Sequence, residues 1–285
     1  MDYIESYGVQ IPFYVNGEGF PLFIFNGFTC SQPNLKYLIA DLSKKYKVIS
    51  WDYAGHGKSG TPSDFSGISV DSFAEDAARI MDRLKVEKAV FLGYSLGAQV
   101  MLQNYLENRG RAEVLISLCG FPGNAFDSFL HSPLSANVVE LLNSVAPKIS
   151  DPLRNIWKTV MHLPFPLRFV GASLFMNREK VKREDVEPFF NSMAHLDPNL
   201  LIHISEKMRT HSVADSLHSI DVPTLVIGGE KDLFAPFSRS KEIHRLINGS
   251  ELVMIPGASH NANLEEPEFI LEKIHGFLDR KLKIS

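Results

Sequence analysis

Lys88-Ala89-Val90-Phe91-Leu92-Gly93-Tyr94-Ser95-Leu96-Gly97 is the stretch whose reading decides the fold. An apolar, partly β-branched run enters Gly93-x-Ser95-x-Gly97, and residues at helical spacing (Val100, Met101, Tyr105, Leu106) follow at once. The pattern is strand, one-residue corner, helix, with a serine at the corner. A serine there sits in a cramped backbone conformation that aims its hydroxyl away from the sheet. Glycines on either side let strand and helix pass close together. The pentapeptide alone is common by chance; between this strand and this helix it is specific.

The same alternation repeats outward from the corner. The first fifteen residues, split by Gly8, read as two short strands, and Asn16-Gly17-Glu18-Gly19 reads as a turn. Residues 22–25 form a continuous apolar run of the kind a buried strand carries. Leu35, Leu38, Ile39 and Leu42 recur at helical spacing, as do Phe73, Ala77, Ile80, Met81 and Leu84. Residues 48–51, 114–118, 222–227 and 252–255 read as further strands, with helices near 240–247 and over 267–282. The fold class expected is α/β: a mostly parallel eight-stranded sheet flanked by helices.

Between Pro122 and His218 the alternation stops. Helical periodicities there are interrupted by proline, for example Pro133, Pro152, Pro164 and Pro188, and no convincing strand appears. A helical block of this size inside a βα series reads as a cap inserted above the sheet. Residues 1–121 and 219–285 then form the core, and 122–218 the cap.

A length of 285 residues suffices for such a core with its insertion. Hydrophobic residues at 45% and charged residues at 22% are ordinary for a soluble globular protein. A formal charge of −4 leaves no basic footprint, so nucleic acid is not an expected partner. Cys30 and Cys119 are too few for a disulfide framework and lack metal-ligand spacing. The start, Met1-Asp2-Tyr3-Ile4-Glu5-Ser6, has neither the basic end nor the apolar core of a signal peptide. No apolar run approaches the roughly 18 residues of a membrane span. A cytoplasmic protein without a membrane segment is the expectation.

A serine hydroxyl is a poor nucleophile near neutral pH. It needs a base within hydrogen-bond reach, and that base needs an orienting carboxylate. In an open parallel sheet these groups belong on loops at the carboxyl ends of strands. After the strand at 222–227 comes Gly228-Gly229-Glu230-Lys231-Asp232-Leu233-Phe234-Ala235-Pro236, which offers Asp232. After the strand at 252–255 comes Pro256-Gly257-Ala258-Ser259-His260-Asn261, which offers His260. Glu230 and Asp127 are rival carboxylates. The order serine, aspartate, histidine is the one found in hydrolases with this kind of serine corner.

Taken together, the chain resembles the α/β-hydrolase superfamily over residues 10–281. The resemblance rests on Asn26-Gly27-Phe28, Asp52-Tyr53-Ala54-Gly55-His56-Gly57-Lys58-Ser59, the elbow at Ser95, the cap, and the Asp232 and His260 loops, all in the family's order. It implies Ser95 as nucleophile, His260 as general base and then acid, and Asp232 as orienting anion. It also implies an oxyanion hole from the backbone N–H groups of Leu96 and Phe28, with no metal or organic cofactor. Relatives usually carry His-Gly where this chain has Asn26-Gly27, which bears on how the oxyanion loop is held. His56 falls in the family's loop-stabilising segment and is read as structural.

The small-molecule partner expected is an acyl substrate. Tyr94 in the elbow and Phe126, Phe165 and Phe175 in the cap are expected to wall its pocket, with Phe129, Met161 and Met193 as further candidates. Cys30, near the mouth, is read as a small hydrophobe. Relatives with a serine elbow also cleave C–C bonds or form peracids in cofactor-free haloperoxidase fashion. A small-molecule receptor and a catalytically silent binding protein are the readings of another class. Dehalogenase and epoxide-hydrolase relatives use an aspartate where this chain has Ser95.

Overall fold

Apolar runs of the sequence become the strands of one sheet in the computed structural model, which describes residues 1–126, 137, 140–141, 144–145, 149–172 and 176–282. β1 (Asp2–Ser6) and β2 (Val9–Asn16) pair antiparallel, joined by Tyr7 and Gly8, both at positive φ. β3 (Phe20–Phe25), β4 (Tyr46–Trp51), β5 (Ala89–Tyr94), β6 (Ala112–Leu118), β7 (Thr224–Gly229) and β8 (Glu251–Ile255) run parallel. The order across the sheet is β1-β2-β4-β3-β5-β6-β7-β8. This is the eight-stranded, mostly parallel arrangement expected. The seventh strand starts at Thr224 rather than at 222, because Pro223 has no N–H to give a ladder.

Every residue of β5 and β7 is buried, which is why these strands read as unbroken apolar runs. Alternate side chains feed opposite faces. Phe23, Phe25 and Phe91 pack on one face with Phe73 and Ile80 of α2 (Val70–Arg83) and Val100 and Met101 of α3 (Leu96–Glu107). Leu22, Ile24 and Leu92 pack on the other with Leu38 of α1 (Lys36–Leu42) and Ile274 near the C-terminus. Phe25 meets Trp51 and Phe91 edge-on at centroid distances of 5.0 and 5.2 Å. Such pairs contribute about 0.5–1.5 kcal/mol each beyond burial. They lock together the carboxyl ends of β3, β4 and β5.

Between β6 and β7 the described residues form α4 (Ser150–Met161), α5 (Phe165–Ala172), α6 (Arg183–Ala194), α7 (Pro198–Thr210) and a 3₁₀ turn (Ala214–Ser219). α7 starts on Pro198 after Asp197, whose side chain accepts from the Asn199 N–H. No strand occurs there among the described residues, only an isolated bridge between Gly123 and Ser212. Asp185 anchors α6 to the core by accepting from Tyr37 Oη at 2.8 Å and pairing with Lys36 at 2.5 Å. The chain closes with α8 (Phe237–Leu246), the short α9 (Ala262–Glu265) and α10 (Pro267–Lys281). No described helix is long and apolar enough to cross a membrane.

Two buried groups titrate in opposite senses. Burial pushes the imidazole of His56 down to about 4 from 6.5 and the carboxyl of Asp76, on α2, up to about 6 from 3.8. As pH falls from 6.5 to 4, the unfolded chain protonates His56 before the fold does, and stability is lost. As pH falls from 6 to 3.8, the fold protonates Asp76 first, and stability is gained. The two offset each other in the wild type. Asp76→Asn removes only the gain, so its stability should fall more steeply between pH 7 and 4.5, by roughly 1–3 kcal/mol. Thermal melts at both pH values check this; parallel slopes in the two proteins would refute it.

Candidate active site

Ser95 stands between β5 and α3 at φ 55° and ψ −120°, a left-handed backbone that a serine adopts only where its surroundings impose it. Two close approaches impose it. A Cβ on Gly93 would lie 2.4 Å from the Gly97 carbonyl oxygen, and one on Gly97 would lie 2.0 Å from the carbonyl oxygen of Phe25. Only glycine fits at either place. Ser95 is thereby lifted off the carboxyl end of β5, beside the point where successive strands leave β3 in opposite directions, the usual ligand crevice of an open parallel sheet.

His260 and Asp232 arrive on the loops after β8 and β7. His260 Nε2 lies 2.9 Å from Ser95 Oγ, and His260 Nδ1 lies 2.8 Å from Asp232 Oδ2. An ionised carboxylate only accepts, so Nδ1–H donates to Asp232 and Nε2 is left to accept from the serine. Asp232 is fully buried, and its Oδ1 accepts from the N–H groups of Phe234 at 2.8 Å and Ala235 at 2.7 Å. Those bonds fix the carboxylate's orientation. The two loops are tied together by the Lys231 N–H on the Ala258 carbonyl at 2.8 Å and the Gly257 N–H on Glu230 Oε2 at 2.8 Å. Buried Glu265 accepts from the Ser259 N–H at 2.7 Å, just before the imidazole. Tyr94 Oη donates to the His260 carbonyl at 3.0 Å, and its ring stacks on the imidazole at 5.7 Å.

The Leu96 N–H opens α3, where no intrahelical acceptor exists. Phe28 follows β3 on the loop that Asn26 holds: Asn26 Nδ2 donates to the Trp51 carbonyl at 2.6 Å. An asparagine thus ties this loop to the end of β4 at the position where histidine is usual. His56 is fully buried with Nδ1 3.0 Å from the Ala54 carbonyl and does not meet Ser95.

Ser95 and His260 open into a cavity of about 440 Å³. Tyr94, Phe28 and Cys30 line its floor side, and Met161, Phe190 and Met193 come from the helical segment. Burial pushes the Cys30 thiol up to about 12, which keeps it a neutral apolar group. Phe126 does not line the cavity; it is buried in the core, edge-on to Phe234 at 5.8 Å. The Asn124 and Ala125 N–H groups, on the carbonyls of His211 at 2.9 Å and Met208 at 3.3 Å, hold the backbone before it against the end of α7. Phe175, the side chain of Phe165, Phe129 and Asp127 lie outside the described residues.

Several lining residues were not anticipated from the sequence: Phe234, Asn261, Phe189 and Arg168. Phe234, two residues past Asp232, packs its ring 4.8 Å from that of His260. Arg168 carried a readable sign, since it is the one cation in the apolar run Leu163-Pro164-Phe165-Pro166-Leu167-Arg168-Phe169-Val170. Among the described residues no group of three His, Cys, Asp or Glu side chains is placed to hold a metal ion.

Comparison with known proteins agrees with this architecture. The AB hydrolase superfamily protein YisY of Bacillus subtilis (strain 168) is 27% identical over 262 residues, which span 92% of each chain. A thermophilic esterase from Thermogutta terrifontis superposes with a TM-score of 0.80 at 21% identity, covering 99% of this chain and 97% of that one. A bromoperoxidase from Bacillus anthracis superposes with a TM-score of 0.79 at 21% identity, covering 95% and 96%. At such identities the structural likeness speaks for the fold alone. The family model for the alpha/beta hydrolase fold matches residues 21–267, from β3 to the start of α10, and the chain belongs to that family.

Proposed function

We propose that this protein is a serine hydrolase that cleaves a carboxylic ester or related acyl compound through an acyl-enzyme. The observation that carries the reading is the unbroken hydrogen-bonded line from Asp232 through His260 to Ser95 at the mouth of an apolar cavity. Ser95 Oγ attacks the carbonyl carbon as His260 Nε2 takes its proton. The backbone N–H groups of Leu96 and Phe28 hold the oxyanion. Removing one such donor typically costs about 10²–10³ in turnover. His260 then protonates the departing alkoxide, and water, deprotonated by the same imidazole, releases the acid. Asp232 holds the imidazole in the tautomer this requires. Residues 122–218 act as a cap, with Met161, Phe190 and Met193 walling the acyl side.

An activity-based fluorophosphonate probe and a panel of p-nitrophenyl esters graded from acetate to decanoate test the reading. Labelling should add one probe at Ser95, and at least one ester should turn over at about 1–10³ s⁻¹. Folded protein that takes no label and hydrolyses none of the panel would refute it. Stoichiometric binding with turnover far below that range would favour a receptor instead.

A further inference from the structure

Arg168 is out of keeping with the cavity it lines. Apart from His260, it is the only residue among the described lining residues with a charge to offer. It projects from α5 with its guanidinium carbon 5.1 Å from the centroid of the Phe190 ring, a cation–π contact. Its Nε is buried and has no hydrogen-bond partner. No carboxylate among the described residues lies within salt-bridge distance of it, although the chain pairs most of its other arginines, Arg154, Arg209 and Arg239 among them. A guanidinium has five donors and no acceptor. Leaving one of them dry beside apolar walls costs free energy, and an anion bound to the remaining donors offsets part of it.

We infer that Arg168 is the binding group for a carboxylate carried by the substrate, so that the preferred ester or lactone is anionic at a point remote from the scissile carbonyl. The inference rests on the serine-hydrolase reading and narrows its substrate class. The Nη–H groups at the end of the guanidinium form the two-pronged fork that matches a carboxylate, and the Phe190 ring packs against the group at 5.1 Å. A cavity of about 440 Å³ has room for a short chain between that anion and the ester carbonyl at Ser95. The aromatic and methionine walls bind the chain without directional preference, which leaves the arginine to set its direction.

Two matched ester pairs test this. 4-Nitrophenyl hydrogen glutarate and its methyl ester place the charge in the acyl half; 4-acetoxybenzoate and its methyl ester place it in the leaving half. Wild type should favour the anion over its neutral partner in kcat/KM by about tenfold or more in one pair, which also shows which half carries the charge. Arg168→Gln should lower kcat/KM for that anion, mainly through KM, by about 10- to 100-fold more than it lowers kcat/KM for the neutral partner. Arg168→Lys should keep part of the preference. No preference in either pair, or an equal loss on anionic and neutral esters in Arg168→Gln, would overturn the assignment. Turnover of the neutral esters and probe labelling report on Ser95 separately. Should no ester turn over, the hydrolase reading falls while glutarate alone still decides Arg168. A rise in Tm for wild type but not for Arg168→Gln supports the site, and equal behaviour of the two removes it.

Discussion

Ser95→Ala should lower kcat for the best p-nitrophenyl ester by about 10⁴- to 10⁶-fold and abolish probe labelling, with little change in Tm. The loss is large because the hydroxyl is the only group at the corner able to form the acyl-enzyme. The stability effect is small because the side chain makes one hydrogen bond, to His260 Nε2, and alanine fits the space it leaves. A net hydrogen bond contributes about 1 kcal/mol, and the strained backbone at φ 55° is imposed by Gly93 and Gly97 whichever residue stands between them. His260→Ala should cost a similar factor, and the double variant little more than either alone, since the two side chains act as a unit. Retention of more than about 1% of wild-type turnover by a well-folded Ser95→Ala protein would show that another group is the nucleophile.

How much of this could be read from residues alone differs between the sheet and the cavity. The central strands were legible because burial on both faces forces continuous apolar runs, as in β5 and β7, and β1 and β2 because Gly8 splits the first fifteen residues. The meeting of residues 95, 232 and 260 was legible for a related reason: each follows a strand directly, and parallel strands deliver their carboxyl ends to one side. The cavity wall was not. Phe126 is expected to wall the pocket as one of the apolar residues of the 122–218 block, yet its ring packs into the core beside Phe234. Phe190 and Arg168 sit on different helices, and their contact depends on how α5 and α6 are placed, which periodicity does not encode. Asn26 shows the same limit on a smaller scale. Its departure from the usual histidine was visible, but its bond to the Trp51 carbonyl required knowing that β3 and β4 are neighbours.

Asp232→Asn should lower kcat by about 10³- to 10⁴-fold with the fold intact, and the reason lies in the bonds at the carboxylate's far oxygen. Oδ1 accepts from two backbone N–H groups, those of Phe234 and Ala235. An asparagine must turn its carbonyl to these donors, because its amide N–H₂ would face N–H against N–H. The N–H₂ is then directed at His260 Nδ1, which becomes an acceptor, and the imidazole proton moves to Nε2. That nitrogen can no longer take the proton of Ser95, so the base is lost although every heavy atom stays in place. The nitrogen chemical shifts of His260 should report the change: proton on Nδ1 in the wild type, on Nε2 in the variant. Glu230, exposed and bonded to the Gly257 N–H, is not in contact with the imidazole, so Glu230→Gln should alter kcat by less than about threefold. Asp127→Asn should do the same. A large loss in Asp127→Asn together with a small one in Asp232→Asn would move the orienting carboxylate to the loop after β6 and refute the assignment made for Asp232.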